Sequence, residues 1–374
     1  MMKTKLKPKR WLLGIGAILL FLTIGITLRV NRPTDKSQTC QEYYSGQEKL
    51  PFAPLAWCQS GEYFRWKSSL PQNASFESLN IFHTCHGNPD NPAILLIHGY
   101  PTSSYDFAGL TQRLEDEFYV CALDTPGYGF SDKPRNGYDY SIFDDARLVD
   151  FYIREVAGLK EFSLLTHDKG DSVGLALLQI YQAYAAKPYI IRHHFITNGN
   201  IYLPLAQLTR GQKLLLNPLS GSVLSALMGG SEMAAGMADT TYTPALPASE
   251  VEALVSIFDY KGGTKVQHAI IQYLDERKAN EVTWLESLGR SDIPTTLIWG
   301  ELDAIAPTAV PDFVWTNYLQ ARAVPATYWR IPCANHYLQV DQPGMVAEII
   351  RATLLPASAP LQTLGTGCQP FKVK

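Results

Sequence analysis

Phe162-Ser-Leu-Leu-Thr-His-Asp-Lys-Gly-Asp171 decides how the rest of the chain is read. Phe162 to Thr166 is a short apolar run that fits a strand buried on both faces. Ser172 to Tyr181 has helical character, so His167 to Gly170 form the turn between the two. Strand, tight turn and helix is the context of a nucleophile elbow, where the tip residue is pushed out at the end of a parallel sheet. Asp168 takes the tip, with Gly170 two places on. The glycine usual two places before the tip is replaced by Thr166, so the generic pattern is half kept.

An aspartate at the tip implies its own chemistry. With a reference pKa of about 3.9 it is already ionised at neutral pH and needs no base to activate it. It can displace a leaving group at saturated carbon, leaving an ester on the protein that an activated water must hydrolyse. The chain then has to supply a base, a group to orient it and an oxyanion hole.

Outward from the elbow, strands and helices alternate, the pattern of a parallel α/β sheet. The expected strands are Glu62–Ser68, Leu79–Thr84, Ala93–Ile97, Tyr119–Leu123, Phe162–Thr166, Ile190–Thr197, Thr295–Trp299 and Ala326–Ile331. Pro71-Gln-Asn73 reads as the turn between the first two, Asp144–Val156 as an amphipathic helix and Val346–Leu354 as a closing helix. From 201 to 290 the sequence is rich in Leu and Ala with helical periodicity, a helical lid between the sixth and seventh strands.

Three strand ends complete the set. His98-Gly-Tyr-Pro101 offers Tyr100 N–H to an oxyanion, with Lys169 N–H as the second donor. Trp299-Gly-Glu-Leu-Asp303 offers Asp303, preferred to Glu301, to hold a histidine's tautomer. Cys333-Ala-Asn-His336 supplies His336 as the base, in the chain order nucleophile, acid, histidine. His83, Cys85 and His86 lie on a strand without a second ligand pair, so no metal is expected.

The 374 residues suffice for one large core or two domains, and a formal charge of −3 gives no reason to expect nucleic-acid binding. Lys3, Lys5, Lys7, Lys9 and Arg10 precede an uncharged apolar run from Trp11 to Leu28, closed by Arg29. This reads as a membrane-spanning anchor, with a cleaved signal as the alternative, and its basic flank stays cytoplasmic. The expected division is a basic tail at 1–10, the transmembrane helix at 11–28, a linker and extension at 29–61, core at 62–200, lid at 201–290, core again at 291–356 and a tail at 357–374. Everything after Arg29 then faces the extracytoplasmic side. Of the six cysteines, Cys40 and Cys58 flank an aperiodic segment that a disulfide would fasten. Cys121 reads as an inert core thiol, and Cys85 and Cys368 are the next plausible partners. Asn73-Ala-Ser75 is a formal glycosylation triplet.

From Glu62 to Leu354 the chain resembles an α/β hydrolase of the epoxide hydrolase and haloalkane dehalogenase group. The motifs are His98-Gly-Tyr-Pro101, Asp124-Thr-Pro-Gly-Tyr-Gly-Phe-Ser-Asp-Lys-Pro134, His167-Asp-Lys-Gly170, Gly300-Glu-Leu-Asp303 and Asn335-His336. His98 to Asp106, Gly129 to Arg135, Tyr140 to Phe143 and Leu165 to Asp171 more narrowly resemble the mesoderm-specific transcript proteins. The resemblance implies a mostly parallel eight-stranded sheet with helices on both faces, a small apolar substrate and no cofactor. It also implies a lid tyrosine that protonates an epoxide oxygen, which Tyr273 in Ile271-Gln-Tyr-Leu-Asp-Glu-Arg277 matches; a first such tyrosine could be Tyr202 or Tyr242. Haloalkane dehalogenases carry Trp after the nucleophile where this chain has Lys169. Haloacetate dehalogenases have a basic residue there and an arginine at the position of Ser172. Epoxide hydrolysis through an Asp168 ester is the first expectation, haloalkane or haloacetate dehalogenation on the same residues the second, and a non-catalytic binding protein on this fold the third.

Overall fold

A computed structural model describes residues 38–47, 52–238, 240–355 and 368–373. The basic tail and the apolar run 11–28 lie outside these residues. No helix among the described residues is long and apolar enough to cross a membrane.

The strands are β1 (Gly61–Trp66), β2 (Leu79–His86), β3 (Ala93–Ile97), β4 (Tyr119–Leu123), β5 (Glu161–His167), β6 (Ile190–Thr197), β7 (Thr295–Gly300), β8 (Ala326–Ile331) and β9 (Phe371–Lys372). They form one sheet in the order β1-β2-β4-β3-β5-β6-β7-β8-β9. β3 to β8 run parallel, while β1, β2 and β9 make the antiparallel margins. Eight strands are where the sequence places them; the ninth corrects the count. Phe371–Lys372 is two residues long in a polar tail, too short to show a period of two.

Side-chain alternation divides the core into two layers. Leu95, Ile97, Leu164 and Leu297 point into the cluster under the helices Ile142–Phe151 and Lys169–Ala183. Ile94, Leu96, Leu165 and Ile298 point into the opposite cluster, against Ala108–Leu114 and Pro343–Leu354. The central strands are covered on both faces, which is why they read as continuous apolar runs. Between β6 and β7 the chain forms the helices Arg210–Leu216, Pro218–Leu227, Gly230–Ala238, Ala248–Asp259 and Tyr273–Gly289.

The six cysteines form Cys40–Cys58, Cys85–Cys121 and Cys333–Cys368. The first pair is as expected. Cys121 is not an inert thiol: Cys85 and Cys121 are direct partners in the antiparallel β2–β4 register, a neighbourhood visible only once strand order is known. Cys368 therefore joins Cys333 rather than Cys85. Pro71–Asn73 is a short 3₁₀ turn. The glycosylation triplet is no acceptor in the folded chain: Asn73 is 0% exposed, donates to Ser68 Oγ and the Asp139 carbonyl, and accepts from Asp139 N.

Candidate active site

Asp168 sits between β5 and the helix Lys169–Ala183 with φ 51° and ψ −112°. A non-glycine residue there carries roughly 1–3 kcal/mol of strain that its surroundings must hold. Two glycines let them do so. A Cβ on Gly170 would lie 2.4 Å from the Ile97 carbonyl oxygen, so only glycine lets the helix start against the end of β3. The glycine missing at position 166 is replaced by one a turn further along. A Cβ on Gly174 would meet the Thr166 methyl at 2.8 Å, so Gly174 makes room for the larger strand residue. Thr166 in return donates to Asp171 Oδ1 at 2.5 Å and ties strand to helix.

The two oxygens of the Asp168 carboxylate have different surroundings. Oδ2 accepts the Tyr100 N–H at 2.9 Å. Oδ1 faces His336 Nε2 at 3.9 Å, beyond hydrogen-bond range. The other His336 nitrogen, Nδ1, donates to Asp303 Oδ2 at 2.9 Å. Asp303 is held in turn: its Oδ1 accepts from Ile305 N and Ala306 N at 2.7 and 2.9 Å, and Asn198 donates to Oδ2 at 2.7 Å. Asp168, His336, Asp303 and Asn198 are each at most 3% exposed.

Electrostatics follow from this packing. Burial alone disfavours the His336 imidazolium, but Asp303 and Asp168 outweigh it and raise the pKa to about 9. Burial likewise works against the Asp303 carboxylate, yet His336 and the donors around it hold it below the usual range. Burial and the His336 cation push His167 down to about 4; its Nε2–H donates to the His336 carbonyl at 2.9 Å and fixes the loop. His98 Nε2 accepts from Thr125 N at 3.1 Å, a structural role.

A profile of the α/β hydrolase fold matches residues 92–191. LipZ of Mycobacterium tuberculosis is 33% identical over 272 residues, 72% of this chain and 90% of LipZ. The mouse mesoderm-specific transcript protein is 31% identical over 299 residues, 77% of this chain and 84% of its own. The chain belongs to the α/β-hydrolase family. Within it, this α/β hydrolase falls in the group of the mesoderm-specific transcript proteins and epoxide hydrolases. Epoxide hydrolase 3 of Xenopus tropicalis is 26% identical over 295 residues, covering 73% of this chain and 74% of that one. Haloalkane dehalogenase DbeA of Bradyrhizobium elkani shares the fold at TM-score 0.63 and 18% identity, covering 78% of this chain and 97% of its own.

Where the α/β hydrolase departs from its relatives' motifs, the geometry explains what the residues do. The Lys169 ammonium makes a buried ion pair with Asp145 and lies over the rings of Tyr128 and Tyr273, at 4.9 and 5.9 Å. A lysine so paired is not a free clamp for a substrate carboxylate. Tyr273 is 1% exposed, with its ring 5.9 Å from that of Tyr100. Neither residue expected as a first tyrosine joins it: Tyr202 stacks on Phe313 at 3.9 Å and Tyr242 on Tyr337 at 4.7 Å. The core tyrosines Tyr100 and Tyr128 stand there instead, both with buried hydroxyls lacking a protein partner.

Sequence reading missed Arg277. Fully buried, it donates to Ser172 Oγ at 2.6 Å, to the Asp168 carbonyl at 3.1 Å and to the Asn200 carbonyl at 3.3 Å. It therefore pins the elbow to the lid helix. The signal was its place four residues after Tyr273, on the same helical face. Asn198, which orients Asp303, leaves no signal of its own in the sequence, because an asparagine after a strand is an ordinary turn residue.

Proposed function

We propose that this protein is a hydrolase that works through an ester on Asp168, and that it opens epoxides to diols. The observation that carries the reading is the asymmetry of the Asp168 carboxylate. Oδ2 already lies in the oxyanion hole on Tyr100 N–H, which leaves Oδ1 to attack carbon. Attack opens the ring, and the alkoxide takes a proton from Tyr273, whose neighbours Tyr100 and Tyr128 supply further hydroxyls.

Ester formation also switches the base. While Asp168 is ionised it helps keep His336 protonated. Esterification removes that charge, so His336 gives up its proton, which restores the Tyr273 hydroxyl, and can accept one from a water in the gap between Nε2 and Asp168. Water attacks the ester carbonyl, and the developing oxyanion on Oδ2 is met by the N–H of Tyr100 and of Lys169. The acyl C–O bond breaks, His336 gives its proton to the leaving alkoxide so that the diol departs, and the new Asp168 carboxyl returns a proton to His336, restoring the carboxylate and the imidazolium. The pairing of Lys169 with Asp145 favours an uncharged substrate over a haloacetate, and the sequence similarity to an epoxide hydrolase favours the epoxide.

The test is to trap the ester. Given a reactive epoxide such as styrene oxide, His336→Gln should accumulate protein heavier by the substrate's mass, mapped by peptide mass spectrometry to Asp168. Asp168→Ala should carry no adduct. Tyr273→Phe should slow adduct formation by about 10²-fold or more. An adduct on another residue, or none in any variant, would overturn the reading.

A further inference from the structure

A cavity of about 720 Å³ lies apart from the elbow. It is walled by the helices Phe52–Gln59 and Ala108–Leu114, by the lid from Tyr242 to Leu254, and by Gln339 to Asp341 after the candidate base. Asp168, His336, Asp303, Tyr100 and Tyr273 are not in its walls. Its volume is that of a small-molecule site, about 300–1,000 Å³.

The lining has a consistent character. Trp57, Tyr105 and Tyr242 contribute aromatic surface. Asp106, Glu115, Glu250 and Asp341 contribute four carboxyl groups, and among the described residues no lysine or arginine lines the cavity. The acids are held mainly by neutral donors. The Tyr105 hydroxyl donates to Glu250 at 3.1 Å, the Thr102 hydroxyl to Asp106, and the Thr243 and Asn335 amides to Asp341 at 3.0 and 2.8 Å. Glu115 faces the His86 ring at 3.5 Å. Burial pushes Asp106 up to about 8 and Asp341 up to about 7, against the lowering pull of their hydrogen-bond donors and of the His336 charge. Gln339 adds a second, independent sign: it is 1% exposed, and neither its amide nitrogen nor its amide oxygen has a protein partner. A native fold seldom leaves both atoms of a buried amide unmet.

We propose that this cavity is a binding site for an organic ammonium ion with an apolar body. Four carboxyl groups with no lysine or arginine in the wall disfavour an anion, and a bound ammonium supplies the positive partner that lets the two raised acids ionise. Aromatic faces add cation–π attraction that a neutral molecule of the same shape does not receive. The apolar wall residues bury the remainder of the ligand. The proposal is independent of the ester chemistry at Asp168.

The test uses the full chain and three probes of similar size: benzyltrimethylammonium, its neutral isostere neopentylbenzene, and phenylmethanesulfonate. Equilibrium dialysis should show the cation binding about tenfold or more tighter than either of the others. Glu250→Gln, which keeps an acceptor for Tyr105, should weaken the cation several-fold without lowering the thermal midpoint. Trp57→Leu gives a second reading of the same wall and should weaken it as well. Asp168→Asn should leave binding unchanged. Equal affinity for the neutral isostere, no effect of either wall substitution, or loss of binding in Asp168→Asn would each overturn the proposal.

Discussion

His336 carries a charge that its surroundings decide. Two carboxylates outweigh its burial and set its pKa to about 9, so at neutral pH the free protein holds an imidazolium. Removing one of them in Asp168→Asn should move the midpoint to lower pH, read from the ring-carbon resonance of labelled histidine. At pH values between the two midpoints the parent protein keeps the proton and the variant has lost it; an unmoved midpoint would remove Asp168 from the charge switch. The same raised pKa contributes stability that is complete below about 6.5. That stability is lost as pH rises through the folded-state value of about 9. Residue identity made Asp168, Asp303 and His336 legible in the sequence, because each closes a strand in an order only one topology uses. Arg277 and Asn198 were harder to read, since their role is to hold backbone and carboxylate in place, and many polar residues could do that. Lys169 was legible as an unusual neighbour of Asp168, but its partner Asp145 lies on another helix and no local spacing announces it.

Among the elements, the elbow shows how a local rule can be broken and mended nearby. Thr166 occupies the place of a glycine because Gly174 leaves room for its methyl. Gly174→Ala should destabilise the protein by about 1–3 kcal/mol through overpacking. That loss comes despite alanine's helix propensity, better by roughly 1 kcal/mol. Thr166→Ser removes the methyl but keeps the hydroxyl that reaches Asp171, so the double variant should recover part of the loss. Urea unfolding of the two single variants and the double variant measures this, and strict additivity would mean the two positions do not compensate. Strands were the most legible elements because β3, β5 and β7 are buried on both faces and leave uninterrupted apolar runs. β9 left no such trace, since two residues at a sheet edge are ordered by their partner β8 rather than by their own pattern.

For the molecule as a whole, three disulfides bear on where and how it folds. They join the two N-terminal helices to each other, β2 to β4, and the loop after β8 to the C-terminal tail. The last closes a loop of 35 residues, which in the chain-entropy account contributes about 3–4 kcal/mol. Cys368→Ser should lower stability by a comparable amount, measured in urea without reductant. Such pairs persist in oxidising compartments. Together with the basic flank before residues 11–28, they lead us to propose that the hydrolase domain faces the extracytoplasmic side. Protease added outside correctly oriented sealed vesicles should then digest it, and protection of the domain would reverse the orientation.

The Cys333–Cys368 bond also encloses His336, which lies three positions after its first cysteine, within a covalent ring of chain. A single cut anywhere in that ring opens it into two arms, and neither arm can diffuse away while the bond is intact. The candidate base therefore stays attached to the sheet through one side or the other after a cleavage that would free the end of an unclosed chain. Such a nicked protein should run as one chain without reductant and as two with it.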